Sequence, residues 1–414
     1  MSAPHIAAER LGADYFQDPY SVHARLRAQR PVTPVIMPGG AAVWLITGYA
    51  EARAALADPR MSKRMPGWHP EPGSVIATMD LHMLNSDPPD HGRLRRLVNK
   101  AFTVRQVERL RPRITAITTG LLDDMADQGV QGGQGAQRGQ GAQRGQPEVD
   151  LLASFAFPLP ITVICELLGV PPADRDDFRA WSATIVSDTP SPDVFQAHAT
   201  AMARYFMALL AAKRQQPGDD LLSALLAARD DEDKLSENEL VSMAFLLLVA
   251  GHETTVNLIA SGVLALLLNP AELARLRADP ALIPSAVEEM LRYVNPVSNA
   301  TFRCATEPVE LGGVSIGRGD PVLVSLSGAN RDPARFGDPD QLDLGRDSSG
   351  HLAFGHGIHY CLGAPLARLE AGIAVSGLLA RFGSISLAVS AASLRWRPST
   401  LIHGLEALPV RLAP

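Results

Sequence analysis

The chain has 414 residues, of which 46% are hydrophobic and 20% charged, with a formal net charge of −6. Those proportions belong to a globular protein with a large core, and the acidic balance argues against general affinity for nucleic acid. Three cysteines, Cys165, Cys304 and Cys361, are an odd number at scattered positions, which gives no disulfide framework and fits a reducing cytoplasm.

Residues 1–19 contain neither a basic and apolar leader nor a run of about 20 apolar residues, so neither a secretion signal nor a membrane anchor is expected. A short helix is expected over 20–30, a hairpin over 32–47 turning at Pro38-Gly39-Gly40, and a helix over 49–57. Residues 61–84 carry prolines, glycines and isolated large apolar residues; a loop that long is functional or disordered. At Asp87-Pro88-Pro89-Asp90-His91 a helix starts with an acidic first turn, and His91 and Arg95 fall one turn apart on one face. Both could donate to a single carboxylate, or lie on a solvated face. Arg93, Arg95, Arg96, Lys100, Arg105, Arg109, Arg111 and Arg113 stand against the one acid Glu108, a local reversal of charge that reads as a docking patch or a solvated helix.

Helical sequence continues to Asp127. Gly-Ala-Gln-Arg-Gly-Gln then occurs twice in tandem, at 135–140 and 141–146; this tract has nothing apolar to bury, and 128–147 is expected to be a disordered insert. Bundle-like helices follow over 149–229. Cys165 lies in an apolar helical run and reads as a packing residue.

Ser236 and Glu239 form a capping box ahead of a proline-free stretch reaching Asn269, long enough for a helix of about 50 Å. Its apolar surface breaks only at Ala250-Gly251-His252-Glu253-Thr254-Thr255. A polar notch in a core helix is expected there, which argues against a membrane span. Gly251 weakens the helix locally, and Thr254 can bond helix carbonyls and widen a groove; a kink and a salt bridge are the plainer explanations. Glu289 and Arg292 place opposite charges on one helix face, and Asn295-Pro296 ends that helix. Strands are expected over 309–316 and 322–327, joined through Gly317-Arg318-Gly319-Asp320 into a small sheet, with Cys304 packed in a strand-like stretch before them. A last hairpin is expected over 394–412.

Between these lies Phe354-Gly355-His356-Gly357-Ile358-His359-Tyr360-Cys361-Leu362-Gly363. Glycine lets a backbone bend and lie close to a flat ligand. Residues 364–379 read as a helix with Pro365 in its first turn, so Cys361 sits ahead of a positive helix end that favours a thiolate. The decapeptide resembles the haem-binding loop of the cytochrome P-450 superfamily; its six fixed identities should arise by chance on the order of 10⁻⁶ times in such a chain.

The resemblance covers nearly the whole chain and implies a mainly α fold with small β-sheets (α+β), one domain over 1–414, and haem b held between the long central helix and the cysteine loop. It implies that Cys361 is the iron ligand and that His91, Arg95, Arg303 and His359 serve the haem propionates, with Phe354, Gly355, Gly363, Ala250 and Gly251 against the cofactor. Glu253 and Thr254 match the oxygen-activation motif as proton-delivery residues. Glu289, Arg292 and Arg346 would form the structural ion-pair cluster behind the loop. Met79, Met83, Leu84, Val297, Ala300, Leu401 and Ile402 would line the substrate pocket, under a lid around Trp181 and Phe195.

The implied activity is insertion of one oxygen of O₂ into a C–H or C=C bond of a hydrophobic small molecule. Electrons would come from NAD(P)H through a ferredoxin reductase and a ferredoxin, the latter docking at Arg93, Arg96 and Lys100. Several segments, such as Ala-Gly-His-Glu-Thr-Thr-Val-Asn-Leu, are most similar to actinobacterial macrolide and polyketide hydroxylases. A cytoplasmic monomer with no nucleic-acid or membrane partner is expected. Oxidative coupling or rearrangement, and a haem gas sensor without turnover, are the alternatives.

Overall fold

The structure is a computed structural model that describes residues 8–67, 71, 74–99, 102–132, 148–188, 190–227 and 235–413. Its axis is the helix Glu237–Leu268. The Ser236 side chain accepts from the Glu239 N–H while the Glu239 carboxylate accepts from the Ser236 N–H at 2.7 Å, which satisfies two of the amides left open at a helix start. Most side chains between Leu240 and Leu266 are buried, and 78% of the most apolar window lies inside the protein. Its hydropathy is therefore that of a core helix. Helices Pro158–Leu168, Pro192–Gln215, Ile283–Val294 and Ala364–Arg381 pack around it.

A six-stranded sheet takes its strands in the order Glu9–Arg10, Val32–Ile36, Ala42–Ile46, Pro321–Val324, Arg303–Ala305 and Met61–Ser62. The hairpin Val32–Ile36 with Ala42–Ile46 and the helix Tyr49–Ala57 agree with expectation. Ala42–Ile46 runs parallel to Pro321–Val324, with Leu45 opposite Leu323, so remote parts of the chain share one layer.

The outcome differs from expectation at five places. Residues 309–316 are not one strand: Val309–Leu311 and Val314–Ile316 pair with each other, turning at Gly312 and Gly313, whose φ of +58° and +76° suit glycine. The next strand stops at Val324, and helix Leu326–Asn330 follows because the Ser325 side chain caps it by accepting from the Gly328 N–H. The C-terminal hairpin is reduced to a bridge between Trp396 and Leu405, while Pro409–Ala413 pairs with Ser384–Leu387 and Glu148–Asp150. Residues 61–84 contain the helix Val75–Met79, capped by Ser74. Helix Arg111–Gly132 also runs past Asp127; the rest of the expected insert lies outside the described residues.

Candidate active site

Gly355 and Gly357 adopt φ of +72° and +74°, and a Cβ on Gly357 would stand 2.7 Å from the Leu56 carbonyl oxygen. The loop therefore bends where only glycine fits against a neighbouring backbone. The Cys361 N–H donates to the Phe354 carbonyl at 2.8 Å, which closes the loop, and helix Ala364–Arg381 begins three residues later with Pro365 in its first turn. Gly363 has an ordinary φ of −80°. A Cβ there would lie 3.9 Å from the Cys361 sulfur, in plain contact. Its conformation therefore does not require glycine.

Cys361 is exposed on one side while dense protein surrounds it on the others. That desolvation pushes its thiol up, opposed by the N–H groups of Gly363 and Ala364 and the charges of Arg95 and Arg368. These are the groups that would favour a thiolate once a metal shares its charge. Phe354 packs under the Arg368 guanidinium at 4.5 Å, and Arg368 is itself held by Glu288 at 2.6 and 2.9 Å.

Behind the loop, Arg292 donates to both carboxylate oxygens of Glu289 at 2.7 Å, and both side chains are fully buried. Arg346 reaches the same carboxylate at 3.3 Å, and the Ser348 hydroxyl donates to it at 2.6 Å. Arg292 also donates to the carbonyls of Asn330, Pro339 and Gln341, so the buried charges are fully hydrogen-bonded. The three residues singled out from sequence thus meet at one point.

On the other flank of the loop, cationic groups converge. Arg303 is buried, its Nε has no partner among the described residues, and burial pushes its guanidinium down to about 10. Burial and the neighbouring Arg303 also push the Lys63 ammonium well below the usual range. The His359 imidazole falls to about 2, chiefly from burial, with Lys63, Arg303, His91 and Arg95 adding repulsion. Asp87 is the carboxylate that tempers this field, and it accepts from the Ser62 hydroxyl at 2.5 Å and the Lys63 N–H at 3.0 Å. His91 and Arg95 do lie here. Their donors, however, engage the loop itself: His91 faces the carbonyls of Met83 at 2.8 Å and Ile358 at 2.9 Å, and Arg95 donates to Ile358 and Tyr360 at 3.0 and 2.6 Å. Among the described residues their partners are backbone carbonyls, of the loop and of Met83. Lys63, which sequence reasoning missed, carried no signal beyond a basic residue in an overlong loop.

On the central helix, Ala250 is exposed and Thr254 half-buried among otherwise buried neighbours, which marks an open notch. The Thr254 hydroxyl donates to the Ala250 carbonyl at 2.9 Å, as expected for a groove-widening threonine. At Gly251 a Cβ would meet Ile164 at 2.8 Å, so this glycine serves close packing with helix Pro158–Leu168. Glu253 is buried and receives Arg397 at 3.1 Å and the Ser182 hydroxyl at 3.3 Å. Arg397 and Ser182 were not singled out, because nothing local marks a residue whose partner lies far along the chain.

The expected pocket residues divide into two groups. Val297 bridges to Ile402, the Asn299 N–H donates to the Leu401 carbonyl at 3.4 Å, and the Ala300 N–H to Val324 at 2.9 Å, so these segments are brought together. Met79, Met83 and Leu84 pack into or against the largest core cluster, as do Trp181 and Phe195. The expected docking patch is largely committed internally: Arg93 pairs with Glu239, Arg111 with Glu108 at 2.8 Å and Arg113 with Glu166 at 2.6 Å. Lys100 lies outside the described residues.

The mainly helical fold, the cysteine loop and the notched central helix define a haem-thiolate oxygenase. Residues 194–387 match the family model described as Cytochrome P-450. The chain is 50% identical to the cytochrome P-450 monooxygenase PikC of Streptomyces venezuelae, over 99% of this chain and 95% of that one. It is 45% identical to the 6-deoxyerythronolide B hydroxylase of Saccharopolyspora erythraea, over 97% and 98%. The solved structure of the tirandamycin C-bound P-450 monooxygenase TamI superposes with a TM-score of 0.87 at 49% identity, covering 98% of this chain and 100% of that one. The chain belongs to the cytochrome P-450 family and is a monooxygenase that uses haem iron and O₂. The residues present fit that group: an accessible cysteine flanked by helix-start amides, a notch on the central helix, and a buried cationic cluster, one of whose donors is unpartnered, suited to a dianionic edge.

Proposed function

We propose that this single-domain cytoplasmic monomer binds haem b and hydroxylates or epoxidises a macrolide or polyketide-type secondary metabolite. The observation that carries the haem reading is the buried basic pair Lys63 and Arg303, with the neutral His359 ring beside them, next to an accessible Cys361. In this reading Cys361 holds the iron, while Arg303, His359 and Lys63, with His91 and Arg95 behind them, hold the two propionates. Bound through a thiolate, haem supplies the two-electron activation of O₂ that releases one oxygen as water and inserts the other into the substrate.

The chain's own residues supply binding and protons. Thr254 passes a proton into the notch, a role supported by its hydroxyl on the face shared with Ala250. Glu253 stands one residue away and supplies protons from the buried side, a role supported by its placement between the notch and Arg397. Val297, Ala300, Leu401 and Ile402 form the apolar wall that meets the substrate, and Met79, Met83 and Leu84 complete the pocket in this reading. The names of the relatives, a 6-deoxyerythronolide B hydroxylase and a tirandamycin C-bound monooxygenase, support a large polyketide-type product as substrate.

Electrons reach the haem from NAD(P)H through a reductase and an acidic ferredoxin. Support comes from a cleft on the outside of the cysteine loop, about 530 Å³ in volume, lined by Tyr49, Arg53, Arg335, His356, Tyr360 and Arg368 among others. Among the described residues, neither Arg53 nor Arg335 forms an ion pair with a carboxylate there, which leaves positive charge for a carrier to meet. Screening a panel of macrolactones and other polyketides for the spin-state shift of the ferric Soret band, followed by product analysis with NADH and a surrogate ferredoxin system, tests the substrate class. A shift and an oxygenated product only from small terpenes or fatty acids would overturn it.

A further inference from the structure

The polar groups behind the notch form a chain that leaves the central helix. The His252 Nδ1 meets the Leu248 carbonyl at 2.7 Å, which assigns the ring proton to that nitrogen and leaves Nε2 as an acceptor. Ser182 lies 2.9 Å from that Nε2 and 3.3 Å from the Glu253 carboxylate, and its own Phe178 carbonyl is 2.7 Å away. With the Arg179 carbonyl at 3.4 Å, one hydroxyl proton therefore faces four acceptors. On its other oxygen Glu253 receives Arg397 at 3.1 Å, and Arg397 also reaches Asn257 at 3.3 Å. The Glu253 side chain is 5% exposed but that of Arg397 is 26% exposed. Arg397 lines a narrow cleft with Ala183, Val186, Ser187, Ser399 and Ile402. The solvent-facing side of the Glu253 carboxylate is therefore the one that Arg397 holds.

We propose that Ser182 is a positioning residue for Glu253, so that proton supply to the notch depends on helix Arg175–Ile185 being seated against the central helix. The proposal rests on Glu253 serving proton delivery. In it Glu253 takes a proton from water at the Arg397 cleft, releases it toward Thr254 and returns to its starting state. Ser182 and Arg397 hold one carboxylate oxygen each and so fix the direction in which that proton is passed. His252, neutral because burial lowers its basicity, competes with Glu253 for the Ser182 hydroxyl proton. When the helix lifts, Ser182 leaves, and only Arg397 holds the carboxylate, on its side near solvent.

The test compares the holoenzyme with Ser182→Ala, Ser182→Thr and Glu253→Gln, driven by NADH with a surrogate ferredoxin and its reductase. Product formed per NADH consumed and the solvent deuterium isotope effect on turnover are measured, together with haem content, the CO-reduced spectrum and substrate affinity by spin-state titration. Ser182→Ala should leave the last three unchanged, lower coupling severalfold and raise the isotope effect, with Ser182→Thr restoring both. Unchanged coupling and isotope effect in Ser182→Ala, with Glu253→Gln impaired, would overturn the proposal alone. An unimpaired Glu253→Gln would overturn it together with the reading beneath it. Equal damage in Ser182→Ala and Ser182→Thr would assign Ser182 to packing and also overturn it.

Discussion

Lys63 and Arg303 are buried like charges, Arg303 adding to the burial that depresses the Lys63 ammonium, and Lys63 is fastened by donating to the Thr301 and Phe302 carbonyls at 3.1 and 3.4 Å. Two buried cations tempered by the single carboxylate Asp87 are costly, and replacing buried ionic groups by apolar ones of similar volume is often neutral or stabilising by about 1 kcal/mol or more. The arrangement is strained for the chain alone and suited to a bound dianion.

Lys63→Met should therefore raise the stability of the haem-free protein by about 1 kcal/mol while weakening haem retention. Urea denaturation of the apoprotein and the rate of haem transfer to apomyoglobin measure the two effects. A variant that destabilises the apoprotein and keeps haem normally would remove Lys63 from the site.

Buried histidines set the acid limit of the fold. Burial lowers His23 and His403 to about 3 and His82 to about 4, against an ordinary value of 6.5. In the unfolded chain these rings take protons as pH falls below about 6.5, but in the fold they stay neutral until far lower. Stability is thus intact above pH 6.5 and lost progressively below it, by up to about 1.4 kcal/mol per pH unit for each ring. Melting temperature measured from pH 7.5 to 5 should fall steadily below 6.5, and His403→Phe should flatten that slope. A melting temperature constant over this range would contradict the burial described.

Gly357→Ala should destabilise the holoenzyme by roughly 1–3 kcal/mol, since a left-handed backbone and a close carbonyl both oppose a Cβ. Gly363→Ala, at an ordinary φ, should change the melting temperature far less. Equal effects would mean that the loop relaxes around either substitution.

Thr254→Ala should retain haem and substrate binding but divert electrons to peroxide, because its hydroxyl bonds a helix carbonyl and holds no other element. Product per NADH should drop severalfold. Unaltered coupling would remove Thr254 from the proton route.

Much of this was legible in sequence because it is local. The capping box at Ser236 and Glu239, the Glu289–Arg292 spacing and the glycine pattern around Cys361 are signals within a few residues, and each appears in the structure where its spacing required. What was not legible depends on remote partners. Arg397 matters because the fold brings it to Glu253, Lys63 because it meets Arg303, and Gly251 because Ile164 packs on it. The strands misread near 309–316 and 394–412 failed for a related reason: short β segments take their partners from tertiary context more than from intrinsic propensity.

The most direct test of the account is the reduced, CO-bound spectrum of the purified protein beside that of Cys361→His. Thiolate ligation predicts a strongly red-shifted Soret band in the native protein, lost together with oxygenation in the variant. The same red-shifted band in Cys361→His would contradict the assignment of Cys361 as the iron ligand.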